Sequence, residues 1–289
     1  MWCVFFSASI NSHAKPPEII ANKAIQALQK FDFQKADSLC NAMEQVSSGY
    51  LTYLTRANYL WWQIVTQAPD EELEQRYLAS LDKAYEAIQI KINSEYNHED
   101  LFYFINIFAL KARLNVKNKE YIRAIRHLRN SIGYIEESFG KEPQNPNLYL
   151  TSGLYNYVAD FGAVKYPFLR FYTILYPKGD MQKGLLQLIR ASEYNDMVVQ
   201  TEAHYFLMKI YLELEPDFEN AIVHAKWLVD HYPENLLYWF YFYQVYELKD
   251  DWVELYRIRL YYLETLERNQ HLSAAQKDFL MDMLVSSGK

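Results

Sequence analysis

Basic residues concentrate between Lys111 and Arg129, in a chain whose net charge is -7. Arg123, Arg126 and His127 are three and four positions apart there, so they share one face if this run is helical. Such a face predicts binding of a carboxylate or phosphate through charge-assisted hydrogen bonds. The alternative is a solvated helix face held by weak ion pairs. Seven bases accompany one acid, Glu120, in this run: Lys111, Arg113, Lys117, Lys119, Arg123, Arg126 and Arg129.

Residue types that support catalysis or metal binding are scattered. The sequence has no glycine-rich phosphate loop, no HExxH, no GxSxG, and only two cysteines, Cys3 and Cys40. His224 and His231 lie two turns apart on one helix face, which falls short of the three or four ligands of a zinc site. The sequence therefore predicts no catalytic residue, no metal site and no cofactor.

Polar residues also interrupt several apolar segments that are otherwise helical in pattern. In helical repeats the first helix of each hairpin lines the concave surface, where polar groups among aromatics suit peptide backbones. The alternative is that these side chains lie between helices and need partners there. Together with Arg123 and Arg126, the predicted partner-binding residues are Arg56, Asn58, Asn106, Asn156, His204 and Gln244.

The elements that position these residues are predicted to be helices. Glycine and proline number only 8 and 9, well below the usual ~7% and ~5%, which leaves few tight turns. The stretch LLYWFYFYQVY at 236–246 leads into apolar residues spaced three and four apart, which is helical spacing. It is shorter than the ~20 apolar residues of a membrane span, so we expect a buried helix.

A repeated pair organises the whole chain: a large apolar residue followed three positions later by a small or compact one. We expect the small side chain to allow close helix packing and the large one to fill the gap between hairpins. The six pairs are Phe33/Ala36, Leu81/Ala84, Tyr121/Ala124, Met181/Gly184, Phe218/Ala221 and Trp252/Leu255. Breakers and caps predict hairpins at 17–46, 50–93, 98–139, 147–194, 197–231 and 235–269, and a closing helix at 273–286.

One of these segments carries a family resemblance. FENAIVHAKWLVDHYPEN, at 218–235, resembles the second helix of a tetratricopeptide repeat, with Ala221 on the motif's alanine and Pro233 on its closing proline. SGLYNY at 152, YP at 176, GD at 179 and GLLQLIRAS from 184 resemble the divergent tetratricopeptide family of the yeast outer-mitochondrial-membrane inclusion-clearance protein, which has animal and bacterial members. The resemblance implies an all-α, right-handed superhelical array and protein binding or lipid-associated scaffolding, without catalysis.

Two segments bear on location. Residues 1–14, MWCVFFSASINSHA, resemble a secretory signal, although no basic residue precedes the apolar run. If residues 1–14 are cleaved as a signal, the protein is expected to be exported, and periplasmic or envelope-associated. If they are instead a disordered tail, we expect a cytoplasmic protein. The aromatic segment 161–180 interrupts the repeat spacing and either packs internally or contacts a membrane surface.

The sequence as a whole predicts one tetratricopeptide-like domain over 15–289, built from about six helical hairpins and a closing helix. Its predicted function is non-catalytic binding of a protein or peptide, in particular an acidic one, in a concave groove. The acidic net charge argues against nucleic acid. Two alternatives stay open: an enzyme or small-ligand binder that uses 111–129 with 161–180, and a peripheral membrane protein.

Overall fold

The computed structural model describes residues 16–94, 99–165 and 176–287. Within these ranges the chain forms fourteen α-helices and no strand, which confirms the all-α prediction. The π-helical stretch Ile210–Leu214 continues α10. The helices are α1 (Pro16–Gln29), α2 (Phe33–Val46), α3 (Tyr50–Val65), α4 (Glu71–Ser94), α5 (Glu99–Lys117), α6 (Tyr121–Arg129), α7 (Ile132–Ser138), α8 (Leu148–Lys165), α9 (Met181–Ser192), α10 (Met197–Lys209), α11 (Phe218–His231), α12 (Leu236–Lys249), α13 (Trp252–Arg268) and α14 (Ala274–Ser287).

Side-chain caps fix where many of these helices begin. An Asp or Asn before the first turn accepts the N–H of the third residue on, which satisfies a donor that has no partner inside the helix. A capping box begins α14: Gln276 N donates to Ser273 Oγ at 3.2 Å, and Ser273 N donates to Gln276 Oε1 at 3.0 Å. The capping Asp and Asn residues are Asp32, Asp180, Asp217, Asn235 and Asp251.

Consecutive helices pack against each other in five of the six predicted hairpins; the exception is 50–93, whose second helix, α4, is divided between two compact units. α1 packs on α2, α5 on α6, α8 on α9 and α12 on α13, and the π-helical stretch packs on α11. The predicted hairpin at 98–139 differs, because its second arm is two short helices, α6 and α7. At the break the Ser131 hydroxyl donates to the Leu128 carbonyl at 2.8 Å, a local bond that competes with helix continuation.

The packing predicted for the large-then-small pairs is correct for the small members but wrong for two of the large ones. The small member is buried in all six pairs, as expected for residues where helices approach closely. The large member, however, is exposed in two of them: Tyr121 is 55% exposed and Trp252 is 73% exposed. The prediction that these two side chains fill gaps between hairpins is therefore wrong, and both lie on accessible helix faces.

The chain divides into two compact units. Among the described residues, unit 1 comprises those from Leu81 to Phe206, and unit 2 comprises those up to Ser80 together with those from Leu207 onward. Unit 1 is thus one continuous segment, whereas unit 2 is assembled from the two flanking segments.

The tightest packing in unit 1 is between α8 and α9. A Cβ added to Gly184 would lie 2.5 Å from the Tyr157 backbone nitrogen and 2.7 Å from the Gly153 carbonyl oxygen. Both distances are shorter than van der Waals contact, so only glycine permits this approach of the two backbones. The small residue predicted from the Met181/Gly184 pair is therefore required by the packing.

Unit 2 joins helices from opposite ends of the chain. Asn235 Nδ2 donates to the Gln29 carbonyl at 2.8 Å across a separation of 206 residues, and Gln276 Nε2 donates to Thr66 Oγ1 at 3.0 Å across 210. The Trp62 and Tyr238 rings also meet edge to face, with centroids 6.2 Å apart. The buried aromatic helix predicted at 236–246 is confirmed as α12, in which eight of those eleven residues are buried. Contacts between successive hairpins alone do not account for this unit.

Candidate functional site

The predicted partner-binding residues are divided between the two units. They lie on α3, α5, α6, α8, α10 and α12, which belong to different parts of the two units. Four of the eight are buried: Asn58, Asn106, Asn156 and His204 are between 0% and 8% exposed. Gln244 is half-buried, and Arg123 and Arg126 are exposed.

Arg56 is held by partners within unit 2. Its guanidinium contacts Asp37 at 2.6 Å, Glu44 at 2.7 Å and Asn41 at 2.6 Å. Burial alone would lower the pKa of Arg56, but the hydrogen bonds to Glu44 and Asp37 outweigh burial and raise the pKa above its ordinary value. The residue therefore links α2 to α3 and has little bonding capacity left for an outside ligand.

The three predicted asparagines lie inside helix packing and not on an accessible groove. Asn58 Nδ2 donates to the Leu54 carbonyl at 2.9 Å, and Asn106 Nδ2 donates to the Phe102 carbonyl at 2.8 Å. Asn156 Nδ2 donates to Gln187 Oε1 at 2.8 Å. The sequence left open whether these amides bind an outside partner or find their partners inside the fold. The observed bonds lie inside the fold: Asn58 and Asn106 bond within their own helices, and Asn156 bonds across to α9.

The basic run at 111–129 divides into a buried part and an exposed part. Lys111 is 8% exposed, and its ammonium pairs with Asp82 at 2.6 Å and lies over the Tyr85 ring. Arg113 is 3% exposed. These two bases belong to the inner face of α5, so the surface charge is smaller than the sequence count suggests. Lys119, Arg123, Arg126 and Arg129 are exposed.

The exposed part forms a surface on α6 that combines charge with apolar area. We define the α6 surface as Tyr121, Ile122, Arg123, Arg126 and Arg129. Tyr121 is 55% exposed and Ile122 is 49% exposed, while the arginines extend from the following turns. Positions 122, 126 and 129 follow a spacing of four and three, which places them on one helix face.

Neighbouring residues hold the α6 surface in place and set its charge. Ala124, 4% exposed, lies on the opposite side of the helix, and α6 packs on α5. Arg123 Nη1 pairs with Glu120 at 2.6 Å. Arg126 and Arg129 make no ion pair with any residue in the described ranges. Burial, with the nearby Lys111 ammonium, lowers the pKa of His127, which favours a neutral imidazole there.

A basic groove in unit 2 is a second candidate site that the sequence reasoning missed. Its volume is about 810 Å³, and it lies among residues of α1, α2 and α13 and the turn after α13. Its cationic lining residues are Lys23, Lys30, Lys35 and Arg268. No sequence motif could have revealed it, because its two walls are more than 200 residues apart in the chain.

Two absences bear on the chemistry of the described residues. In those ranges no three His, Cys, Asp or Glu side chains cluster so that they could bind a metal ion. None of the helices described there has the length and apolar composition of a membrane span. The candidate membrane segment 161–180 lies partly, and residues 1–14 wholly, outside the described ranges.

The chain matches no protein-family model, no curated protein and no solved structure. Its tetratricopeptide resemblance therefore rests on the sequence motifs, and its candidate sites rest on their own geometry.

Proposed function

We propose that the protein is a non-catalytic binding protein of tetratricopeptide-like architecture whose α6 surface docks on an acidic segment of a partner protein. The observation that carries this proposal is the exposure of Tyr121 and Ile122 beside Arg126 and Arg129, which form no ion pair within the described part of the chain.

Exposed apolar area next to cationic groups is the composition of a docking surface. Tyrosine and arginine are enriched among the residues that dominate binding energy at protein interfaces. Burying the Tyr121 ring and the Ile122 side chain removes apolar area from water, at ~25 cal/mol per Å². The arginines add attraction for carboxylates and accelerate encounter with an acidic partner. A partner segment with acidic residues around an apolar anchor fits this surface.

The proposal retains part of the sequence prediction and changes the rest. Arg123 and Arg126 remain binding candidates, although Arg123 already pairs with Glu120. Asn106 and Asn156 are not part of the proposed binding surface, because both are buried and form hydrogen bonds inside unit 1. The apolar anchors Tyr121 and Ile122 replace them as the contacts that fix where the partner segment sits.

The test is fluorescence anisotropy with labelled peptides in which Asp and Glu flank a Leu or Phe. Arg126→Glu/Arg129→Glu is expected to weaken binding about tenfold or more, which corresponds to ~1.4 kcal/mol. Tyr121→Ser/Ile122→Ser, tested as a second double variant, should also weaken peptide binding. Arg76→Glu/Arg259→Glu is the matched control, because it makes the same charge change at two exposed positions of other helices.

Salt dependence adds a second criterion. From about 50 to 500 mM salt the Debye length falls from roughly 14 Å to 4 Å, so binding to the wild type should weaken. Binding that ignores salt, or that the control weakens as much as the α6 reversal does, would reject the proposal.

A further inference from the structure

The basic groove of unit 2 has the dimensions of a small-molecule site. Its volume of about 810 Å³ falls within the ~300–1,000 Å³ that such sites occupy. Lys23, Lys30 and Lys35 line the side made by α1 and α2. Arg268, with His271 in the turn after α13, lines the other side. A ligand in this groove would therefore meet positive charge from both walls.

The charge balance of the groove favours an anion. Four Lys and Arg side chains and two carboxylates, Asp32 and Glu234, line it, so the excess among these six groups is two positive charges. Asp32 is already engaged: it accepts the Lys35 N–H at 3.0 Å and lies 3.5 Å from His271 Nδ1. This local excess occurs in a chain of net charge -7. It matches the ≈ -1.5 to -2 charge of a phosphate monoester at neutral pH.

A buried hydroxyl without a partner marks the lining of the groove. Thr265 lines the groove and is 2% exposed, and its Oγ1 forms no hydrogen bond with any described residue. Buried polar atoms nearly always have a partner. The oxygen itself is covered, so it would bond a ligand in the groove after the Thr265 side chain turns toward it. Beside it, Asn269 Oδ1 accepts the N–H groups of His271 at 2.8 Å and Leu272 at 3.1 Å, which fixes the turn that carries His271.

We propose that the basic groove binds a small phosphate-bearing anion, with Lys30 and Arg268 contacting the phosphate from opposite walls and the Thr265 hydroxyl completing its hydrogen bonds. This site is independent of the α6 surface, and the volume of about 810 Å³ and the charge excess of two suit a small ligand better than an extended peptide.

Isothermal titration calorimetry of the full chain with pyrophosphate and with inorganic phosphate tests the proposal. Saturable pyrophosphate binding is expected, and Lys30→Gln/Arg268→Gln should weaken it about tenfold or more, since charged hydrogen bonds contribute ~1.5–3 kcal/mol each. Lys226→Gln is the control, because Lys226 is exposed on α11 and outside the groove. The Arg126→Glu/Arg129→Glu variant should bind pyrophosphate like the wild type, so this test and that of the α6 surface succeed or fail separately.

Thr265→Val separates a ligand-binding role from a structural one. The valine keeps the shape and removes a hydroxyl that has no internal partner, so the melting temperature without ligand should equal or exceed that of the wild type. Pyrophosphate affinity should fall about three- to tenfold, as for loss of one hydrogen bond. Absence of pyrophosphate and phosphate binding, binding unchanged in Lys30→Gln/Arg268→Gln, or groove-dependent binding of hexaglutamate alone would each overturn the proposal.

Discussion

At the scale of single residues, His224 shows how burial turns a common side chain into a pH-dependent element of stability. Its ring lies parallel to that of Tyr211, at an interplanar angle of 4° and a centroid distance of 5.9 Å. Burial lowers the pKa of His224 from 6.5 to about 4. The imidazole is therefore neutral in the folded protein at pH values where it would already carry a proton in the unfolded chain.

The sign of the resulting pH effect follows from that pKa difference. Above pH 6.5 the residue is neutral in both the folded and the unfolded state, so its titration does not change the free energy of unfolding. Between pH 6.5 and about 4 the unfolded chain takes up the proton first, so the free energy of unfolding falls. Burial also lowers the pKa of His127, which adds an effect of the same sign.

We predict that His224→Phe, which keeps a ring against Tyr211, removes this part of the acid sensitivity. For the wild type the contribution of His224 should reduce the free energy of unfolding by about 2 kcal/mol between pH 7 and pH 5, from 1.36 kcal/mol per pKa unit. Urea unfolding of both proteins at the two pH values measures it. Equal losses in the two proteins would show that His224 titrates normally in the fold.

At the scale of elements, two helical glycines that differ in the space around them allow a matched comparison. Gly184 lies where α9 crosses α8, and an added Cβ would meet backbone atoms at 2.5 and 2.7 Å. Gly133 lies in α7, and an added Cβ there would meet nothing within 4 Å. The same substitution should therefore have opposite effects at the two positions.

We expect Gly184→Ala to destabilise the protein by about 3 kcal/mol or more, because backbone atoms cannot move aside as side chains do. Gly133→Ala should leave stability unchanged or raise it by about 0.5–1 kcal/mol, since alanine restricts the unfolded chain and favours helix. Chemical denaturation of both variants provides the measurement. A mild effect at Gly184 would mean that α8 and α9 are further apart than described.

The elements were the most predictable part of the fold. Hairpin joints could be read from the sequence because capping is local: Asp217 and Asp251 act within three residues of their own positions. The exposure of Tyr121 and Trp252 could not, since a large apolar residue is equally compatible with a helix interior or a docking face. Likewise, the burial of Lys111 depends on Asp82, which a local pattern does not indicate.

At the scale of the whole molecule, the important feature is the discontinuity of unit 2. The closing helix predicted at 273–286 is α14, in which Leu280 and Leu284 are buried. It also reaches α3 through the bond from Gln276 to Thr66. Contacts of this kind, like the two walls of the basic groove, connect segments whose proximity no local sequence pattern could reveal.

We predict that Gln276→Ala loosens α3 as well as α14. The change removes half of the capping box and one buried hydrogen bond, at a cost of roughly 1–3 kcal/mol. Native-state hydrogen exchange should show faster exchange in both helices, because they belong to one cooperative unit. Ser286→Ala, in the exposed last turn of α14, is the control. Faster exchange confined to α13 and α14 would contradict the coupling.

Because unit 2 combines an early and a late segment of the sequence, it can be completed only late in translation. Gln29 and its partner Asn235 are 206 residues apart, which corresponds to about 10–40 s of translation at ~5–20 residues/s. During that interval Phe31, Trp61 and Trp62, all fully or almost fully buried in the finished protein, have emerged from the ribosome without the helices that later cover them. The nascent chain should therefore depend on holdase chaperones. Slow translation should increase its aggregation, whereas a circular permutant that synthesises α12–α14 directly before α1 should escape it.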